Sequence, residues 1–169
     1  MNKTELSSIW AAPEQFSDKT ITVCGWVKTI RDSKMFGFIE LNDGTAFKNL
    51  QVVLDAETVA NYKEIIKLNV GSAIIVTGQL ILTPEAKQPF ELKASAVETE
   101  GLSAPDYPLQ KKRHSAEFLR TIAHLRPRAN TYNAAFRVRS EAAFAIHNFF
   151  HSRGFVYAHT PIITGSDCD

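Results

Sequence analysis

Aromatic side chains recur at alternate positions within residues 36–42, where they could stack on the bases of a single-stranded nucleic acid. Alternation along a strand gives an aliphatic face and an aromatic face: Gly37, Ile39 and Leu41 against Phe36, Phe38 and Glu40. The aliphatic face belongs in a core, so the two rings are expected outward. One base stacked on an exposed ring is worth roughly 1–3 kcal/mol. The alternative is that another segment of the chain covers the rings.

The following segment adds a side chain that could read a base. Leu50, Val52 and Leu54 alternate inward, so Gln51 is expected outward, beside Phe38 on the neighbouring strand. An amide offers a donor and an acceptor, which suits the Watson–Crick edge of a splayed base. Arg31 could bind phosphate or stack on a base. An ordinary polar surface role for Gln51, and a surface ion pair for Arg31, are the alternatives.

Five strands and one helix are needed to position these residues. The β-branched and aromatic runs predict strands over residues 20–31, 36–42, 50–54, 73–82 and 90–97. Apolar residues at helical spacing predict a helix over 56–68, with Asp55 as its N-cap. Alternation along the last strand predicts an inward face made by Phe90, Leu92, Ala94 and Ala96. Three strands, a helix and two strands is the order of the OB-fold, a five-stranded barrel that binds oligonucleotides on its second and third strands.

The second part of the chain has another organisation. Residues 1–102 form the predicted barrel, residues 103–130 a hinge with prolines, and residues 131–169 the start of a further domain, so the fold class is α+β. Within these, a short helix is predicted over 115–125, and a long helix over 131–153 with Asn130 as N-cap. A strand is predicted to begin at Phe155–Ala158.

Composition and charge narrow the function classes. The chain has no apolar run of about 20 residues and no apolar signal segment, so neither a membrane nor secretion is expected. Cys24 and Cys168 make no disulfide or metal pattern, which favours the cytoplasm. Residues 1–104 carry 10 basic against 13 acidic residues, and residues 105–169 carry 9 against 5. The basic second part indicates a polyanion, although chance clustering on solvated helices explains it equally well.

Four short segments in the barrel carry a specific family resemblance. VCGWV at 23–27, RDSK at 31–34, GFIELNDG at 37–44 and LQVV at 50–53 resemble the anticodon domain of class IIb aminoacyl-tRNA synthetases, the group of the asparaginyl, aspartyl and lysyl enzymes. The resemblance implies that Phe38 stacks on the central anticodon base, U, that Gln51 reads it, and that Arg31 belongs to the same cluster. Phe36, outward on the same strand by its alternation, is also expected to contact the anticodon. Contacts to the tRNA backbone are expected from four residues: Lys34, Lys111, Lys112 and Arg113.

The hinge and the end of the chain resemble the asparaginyl branch. YPLQKKRHS at 107–115, FLR at 118–120 and HLRPR at 124–128 are similar to its hinge, and RGF at 153–155 with TPII at 160–163 resembles class II motif 1. In the family this motif builds a homodimer interface, here implied for Phe149, Phe150, Phe155 and Pro161. Asp169 falls where the family keeps an acid near the substrate amino group.

The implied parent is an asparagine–tRNA ligase that uses ATP and Mg²⁺ to charge tRNA. The 169 residues hold neither motif 2 nor motif 3, so this part is expected to bind tRNA, not DNA, to be inactive alone, and to need no cofactor; no catalytic residue and no metal ligand is assigned. Two alternatives stay open. One is an aspartyl enzyme, and the other a stand-alone OB-fold that binds single strands, which the net charge of −3 over residues 1–104 disfavours.

Overall fold

A computed structural model of the protein describes residues 3–86 and 88–160, together with residues 163 and 165. The chain forms two compact units, Met1–Ile122 and Ala123–Asp169. The first contains all five strands of the described chain, and the second contains one long helix. Pro161 and Asp169, which the sequence assigns to an interface and to substrate binding, lie outside the described residues.

The first unit is a closed five-stranded barrel, which confirms the predicted OB-fold. Its strands are β1 (Thr20–Ser33), β2 (Phe36–Asn42), β3 (Leu50–Asp55), β4 (Ala73–Leu82) and β5 (Phe90–Gly101). They lie in the order β1-β2-β3-β5-β4, and β4 closes the barrel against β1. Neighbours are antiparallel except β3 and β5, which run parallel. The long β1 therefore pairs with two strands, β4 through its first half and β2 through its second.

The barrel interior follows the predicted alternation. Ile39 and Leu41 of β2 and the inward residues of β3 are fully buried: Leu50, Val52 and Leu54. Gly37 completes this face without a side chain, since a Cβ there would meet Leu54 and Tyr62 at 3.2 Å. Burying these aliphatic side chains leaves the other face of β2 and β3 outside.

The predicted helix after β3 is much shorter than its apolar spacing suggests. The helix α2 spans Tyr62–Ile65 only, and the prediction of Asp55 as its N-cap is wrong. Asp55 instead ends β3, where its carboxylate accepts from the Glu57 N–H at 2.9 Å and its carbonyl accepts from Val59. These hydrogen bonds stabilise successive turns, which bury Val59 without completing a helix.

The last strand runs four residues further than predicted and changes face on the way. The pairing of β4 with β5 shifts register between Thr77 and Gly78. Beyond that point Ala96 is exposed and Val97 is buried, so the predicted inward position of Ala96 is wrong. Gly78 permits the irregularity, because a Cβ there would lie 2.2 Å from the Lys93 carbonyl oxygen.

A helix that the sequence analysis does not predict contributes to the barrel core. The helix α1 spans Leu6–Ala11, and its Leu6 and Ile9 are completely buried. Its N-terminus is capped by the β2–β3 connection: Asp43 Oδ2 accepts from the Leu6 N–H at 2.8 Å, and Thr45 Oγ1 accepts from the Ser7 N–H at 3.0 Å. Side chains distant in sequence therefore satisfy free N–H groups of this helix.

The hinge segment is fastened to the barrel by short polar contacts. The Ser103 N–H donates to Ser72 Oγ at 3.1 Å, and Asn69 Nδ2 donates to the Ser103 carbonyl at 3.1 Å. The helix α3 then spans Ala116–Thr121, shorter than the predicted 115–125, and Ser115 caps it by accepting from the Phe118 N–H. Its Leu119 is buried, and α3 belongs to the first unit.

The second unit is dominated by α4, which spans Asn130–His151. Asn130 is its first residue, not the predicted N-cap, a position that Ala129 occupies. The predicted strand at Phe155–Ala158 is wrong, because these residues adopt no regular structure. After Gly154, with φ of +81°, the Phe155 N–H returns to the Phe150 carbonyl at 3.2 Å and ends the helix.

Candidate nucleic-acid interface

The outward sides of β1, β2 and β3 meet on one surface of the barrel, which we call the outer face. Its candidate binding side chains are Arg31, Phe36, Phe38 and Gln51, and Glu40, which is assigned no contact to a ligand, lies among them. All five side chains are exposed or half-buried, and those on β2 and β3 alternate with buried residues. Rigid strands therefore present these groups at fixed positions.

Arg31 and Phe38 form one structural pair on this face. They lie directly opposite each other across β1 and β2, and the Arg31 guanidinium lies 4.9 Å from the centroid of the Phe38 ring. Such a cation–π contact holds a flat, positively charged group over the aromatic ring. Phe36, two residues earlier, is 44% exposed. The pair and Phe36 offer stacking surfaces and a cation side by side.

Gln51 lies elsewhere than predicted. Val53, not Gln51, is the direct neighbour of Phe38, and Gln51 faces Glu40. The local sequence does not predict this neighbour, because a register depends on where the connecting turn closes. Gln51 remains a diagonal neighbour of Phe38, within reach for long side chains.

Two carboxylates that the sequence analysis does not assign as site residues flank this amide region. Gln51 Nε2 donates to Glu91 Oε2 at 3.2 Å, across the parallel pairing of β3 and β5. Glu40 instead accepts from Asn49 Nδ2 at 3.2 Å, and Asn49 in turn accepts from Asn42. Glu91 thus contacts the Gln51 amide, whereas Glu40 belongs to a separate hydrogen-bonded network with Asn49 and Asn42.

The connection between β1 and β2 is rigidly held. Asp32 Oδ1 accepts from the Lys34 N–H at 3.0 Å and from the Tyr62 hydroxyl at 2.8 Å. Lys34 sits at φ of +67°, a left-handed conformation that this hydrogen bond stabilises. Burial of Tyr62 and its bond to the Asp32 carboxylate raise its pKa to about 12. Arg31 and Lys34 therefore flank a fixed turn.

A groove of about 530 Å³ opens beside this turn. Asp32 and Lys34 line one part of it, and Asn61, Tyr62 and Lys63 line another. Lys34 and Lys63 are the two basic side chains among these lining residues. The groove therefore extends the polar surface next to the outer face.

The basic run of the hinge, Lys111, Lys112 and Arg113, is exposed and lies in the same compact unit as the barrel. The Lys112 N–H donates to the Gln110 carbonyl at 2.7 Å, and His114 also contacts that carbonyl at 3.0 Å. The run therefore follows a locally turned segment and presents three cations to solvent.

On the second unit, the aromatic residues implied in dimer formation cluster at the end of α4. Phe150 contacts Phe149 and Phe155, each at 5.3 Å between ring centroids. Arg153 lies over the Phe149 ring at 3.6 Å. The three rings are between 47% and 61% exposed, which makes them an apolar surface within this unit.

In the part of the chain that the structure describes, no helix is long and apolar enough to cross a membrane. The same residues include no group of three His, Cys, Asp or Glu placed to hold a metal ion.

Known proteins share both the sequence and the fold. Residues 21–100 match the family of OB-fold nucleic acid binding domains of the tRNA anticodon type. The whole chain is 64% identical to an asparagine–tRNA ligase of Acetivibrio thermocellus and 61% identical to one of Clostridium kluyveri, and it spans 36% of the length of each. A solved asparaginyl-tRNA synthetase of Pyrococcus horikoshii has the same fold, with a TM-score of 0.83 and 22% sequence identity. The match covers 96% of this chain and 37% of that chain.

Proposed function

Since residues 1–169 match the N-terminal part of asparagine–tRNA ligases and contain their OB-fold nucleic acid binding domain, we propose that this barrel binds the anticodon loop of a tRNA. The observation that carries the proposal is the outer face, where Arg31 covers Phe38 at 4.9 Å and the Gln51 amide lies diagonally beside them. A ring, a guanidinium and an amide are the groups that stack on and read an unpaired base.

In the proposed complex the central anticodon base, U, stacks at Phe38 and meets the Gln51 amide. Phe36 provides a second exposed ring for a neighbouring base. Arg31 either remains over the ring or turns to a phosphate, since the guanidinium suits both. Lys34 and the hinge run Lys111, Lys112 and Arg113 contact the backbone, because exposed cations favour a polyanion without reading sequence.

The proposed activity of the whole protein is the ATP-dependent charging of asparagine tRNA in the cytoplasm, with Mg²⁺ as the metal. This part supplies recognition of tRNA and no catalytic group. The names of the relatives favour asparagine over the aspartyl alternative. The cytoplasmic location relies on Cys24 and Cys168, which make no disulfide pattern in the sequence.

The test is a calorimetric titration of the protein with two anticodon stem-loops that differ only in U or C at the central position. We expect the U stem-loop to bind more tightly, since exchange of U for C inverts donor and acceptor and a mismatched buried polar group costs roughly 1–3 kcal/mol. Gln51→Ala should bind both stem-loops with similar affinity. Equal discrimination by the variant and the wild type would remove Gln51 from the recognition, and wild-type protein that binds neither stem-loop would contradict the function itself.

We further propose that the protein forms a homodimer through the region of residues 131–163, with Pro161 in the contact and residues 131–169 as the start of the catalytic domain. Phe149, Phe150 and Phe155 support this proposal, because contiguous apolar surfaces on soluble proteins commonly mark contacts. The proposal for Asp169, a contact to the substrate amino group, has only the family resemblance behind it.

Sedimentation equilibrium tests the dimer. Phe150→Glu places a charge among the three rings and should shift the protein to monomers, whereas Thr58→Glu places the same charge at an exposed position of the first unit and should not. A wild-type protein that stays monomeric at high micromolar concentration would contradict the proposal.

A further inference from the structure

We propose that Glu91 gives the barrel its preference for U over C at the central anticodon position by holding the Gln51 amide in one orientation. The inference rests on the proposed function and extends it, because Glu91 would act on the base only through Gln51. Glu91 is thus a positioning residue, and the property that it controls is the ratio of two affinities.

The contact between the two side chains fixes which end of the amide points where. Gln51 Nε2 lies 3.2 Å from Glu91 Oε2. An ionised carboxylate only accepts hydrogen bonds, and an amide donates only through its nitrogen. The NH₂ group of Gln51 must therefore face Glu91, which directs the carbonyl oxygen Oε1 away from that carboxylate. With the amide turned by 180°, two acceptors would face each other.

This orientation matters because U and C present opposite patterns at the same two positions. U offers a donor at N3 and an acceptor at position 4, whereas C offers an acceptor at N3 and a donor at position 4. A glutamine amide has one acceptor and one donor at nearly equal positions. A freely turning amide can therefore match U in one orientation and C in the other. Reading by Gln51 alone cannot separate the two bases unless something prevents the turn.

The position of Glu91 suits this role. Val52 pairs with Leu92 in the parallel ladder between β3 and β5, so Gln51 and Glu91 occupy the preceding positions of the two strands. Glu91 also pairs with Ile81 on its other side, within the antiparallel ladder of β4 and β5. Its backbone is thus held in the interior of the sheet, and both side chains are half-buried. The carboxylate cannot leave Gln51 through a loop movement.

Glu40 provides a matched comparison on the same face. It lies directly opposite Gln51 on β2, is half-buried like Glu91, and carries the same charge. Its Oε2 atom, however, accepts from Asn49 and not from the Gln51 amide. Replacing either glutamate by glutamine removes one negative charge from the outer face, but only the change at position 91 releases Gln51.

The experiment measures the affinities of the U and C stem-loops for wild type, Glu91→Gln, Glu91→Asp and Glu40→Gln by fluorescence anisotropy. Wild type and Glu40→Gln should prefer U by the same factor, at least about fivefold, the ratio for one unsatisfied polar group. Glu91→Gln should bind U and C within about twofold of each other, since its own amide can donate or accept. Glu91→Asp keeps the charge, withdraws it by one methylene, and should also lose most of the preference.

Three results would overturn the inference. The first is that Glu91→Gln and Glu91→Asp both keep the wild-type ratio of affinities, because the Gln51 amide would then be held by something other than Glu91. A uniform loss of affinity for both stem-loops at an unchanged ratio would mean that Glu91 contacts the RNA itself. A loss of preference in Glu40→Gln as large as in Glu91→Gln would assign the effect to charge alone. If Glu91→Gln fails to fold, Glu91→Asp decides the same question. Failure of the proposed function is distinguishable, because there the wild type itself shows no binding or no preference.

Discussion

The barrel and the helix α4 place their apolar residues in opposite environments. Leu50, Val52 and Leu54 of β3 are completely buried, and so are the inward residues of the neighbouring strands. On α4, Phe144 is 68% exposed and Ile146 is 60% exposed, and no residue of the helix is buried within the described chain. The barrel therefore supplies its own stability, and its outer face is free for binding. The apolar side chains of α4 are exposed, and we propose that a second copy of the protein packs against them.

The largest difference should be seen in stability. Leu50→Ala removes a fully buried side chain and should lower the free energy of unfolding of the barrel by about 2–5 kcal/mol. Ile146→Ala on α4 should change it by less than about 0.5 kcal/mol, as substitutions at exposed positions generally do. Urea unfolding followed by far-ultraviolet circular dichroism measures both. A large loss from Ile146→Ala in dilute monomeric protein would contradict the comparison.

The second effect concerns binding by the outer face. Phe38→Ala should weaken binding of the U stem-loop by about 1–3 kcal/mol, the value of one base–aromatic stack, and leave the melting temperature of the barrel nearly unchanged. Phe47→Ala removes another ring, 50% exposed in the β2–β3 connection, and serves as the control. Calorimetry should show full affinity for the control. Equal losses from both variants would mean that general hydrophobicity, and not the outer face, binds the RNA.

A smaller effect is expected at the turn that carries Lys34. Tyr62→Phe removes the hydrogen bond to Asp32 and should cost about 0.5–1.5 kcal/mol of stability. The pKa of Tyr62 is about 12 in the folded protein against an ordinary value of 10.0. Because the folded pKa is raised, the stabilising contribution is complete below pH 10 and is lost as the pH rises towards 12. Denaturation between these pH values should depend less on pH in Tyr62→Phe, and an unchanged dependence would refute this role.

The smallest effect belongs to the hinge cations. Lys112→Gln should lower the slope of log affinity against log salt by about 0.7 if the side chain neutralises one phosphate of a single strand, while preserving the preference for U. Lys67→Gln removes an exposed lysine of the same unit, not proposed to touch RNA, and should leave the slope unchanged. Anisotropy titrations over a series of salt concentrations measure the slope for each variant. Identical slopes for the two variants would exclude a phosphate contact for Lys112.

The sequence predicts the parts of the fold that repeat a simple period. Alternation along β2 and β3 gives the correct inward residues, because one face of each strand is continuously aliphatic. It fails at Ala96, where an irregular pairing adds a residue that no period describes. The helix α1 is also not predicted, although Leu6, Ile9 and Trp10 stand at helical spacing. It is only six residues long, and the Asp43 side chain that caps it is distant in the sequence.

The candidate site is predictable in its residue types and not in its contacts. Arg31 and Phe38 come together because adjacent antiparallel strands make them direct neighbours. The position of Gln51 opposite Glu40 depends on the register, which the length of the β2–β3 connection sets. The contact between Gln51 and Glu91 joins residues 40 positions apart. Such a pairing of parallel strands leaves no signal in the local sequence.

The central claim is that the outer face of the barrel, and not the exposed surface of α4, recognises the RNA. The most direct test is a nuclear magnetic resonance titration of the isotopically labelled protein with the U stem-loop, followed through backbone and side-chain amide shifts. The account predicts the largest changes at Arg31, Phe38 and Gln51, with the Gln51 side-chain amide shifting less for the C stem-loop, and unchanged signals at Val138 and Ile146. Large changes along α4 with a silent outer face would contradict it.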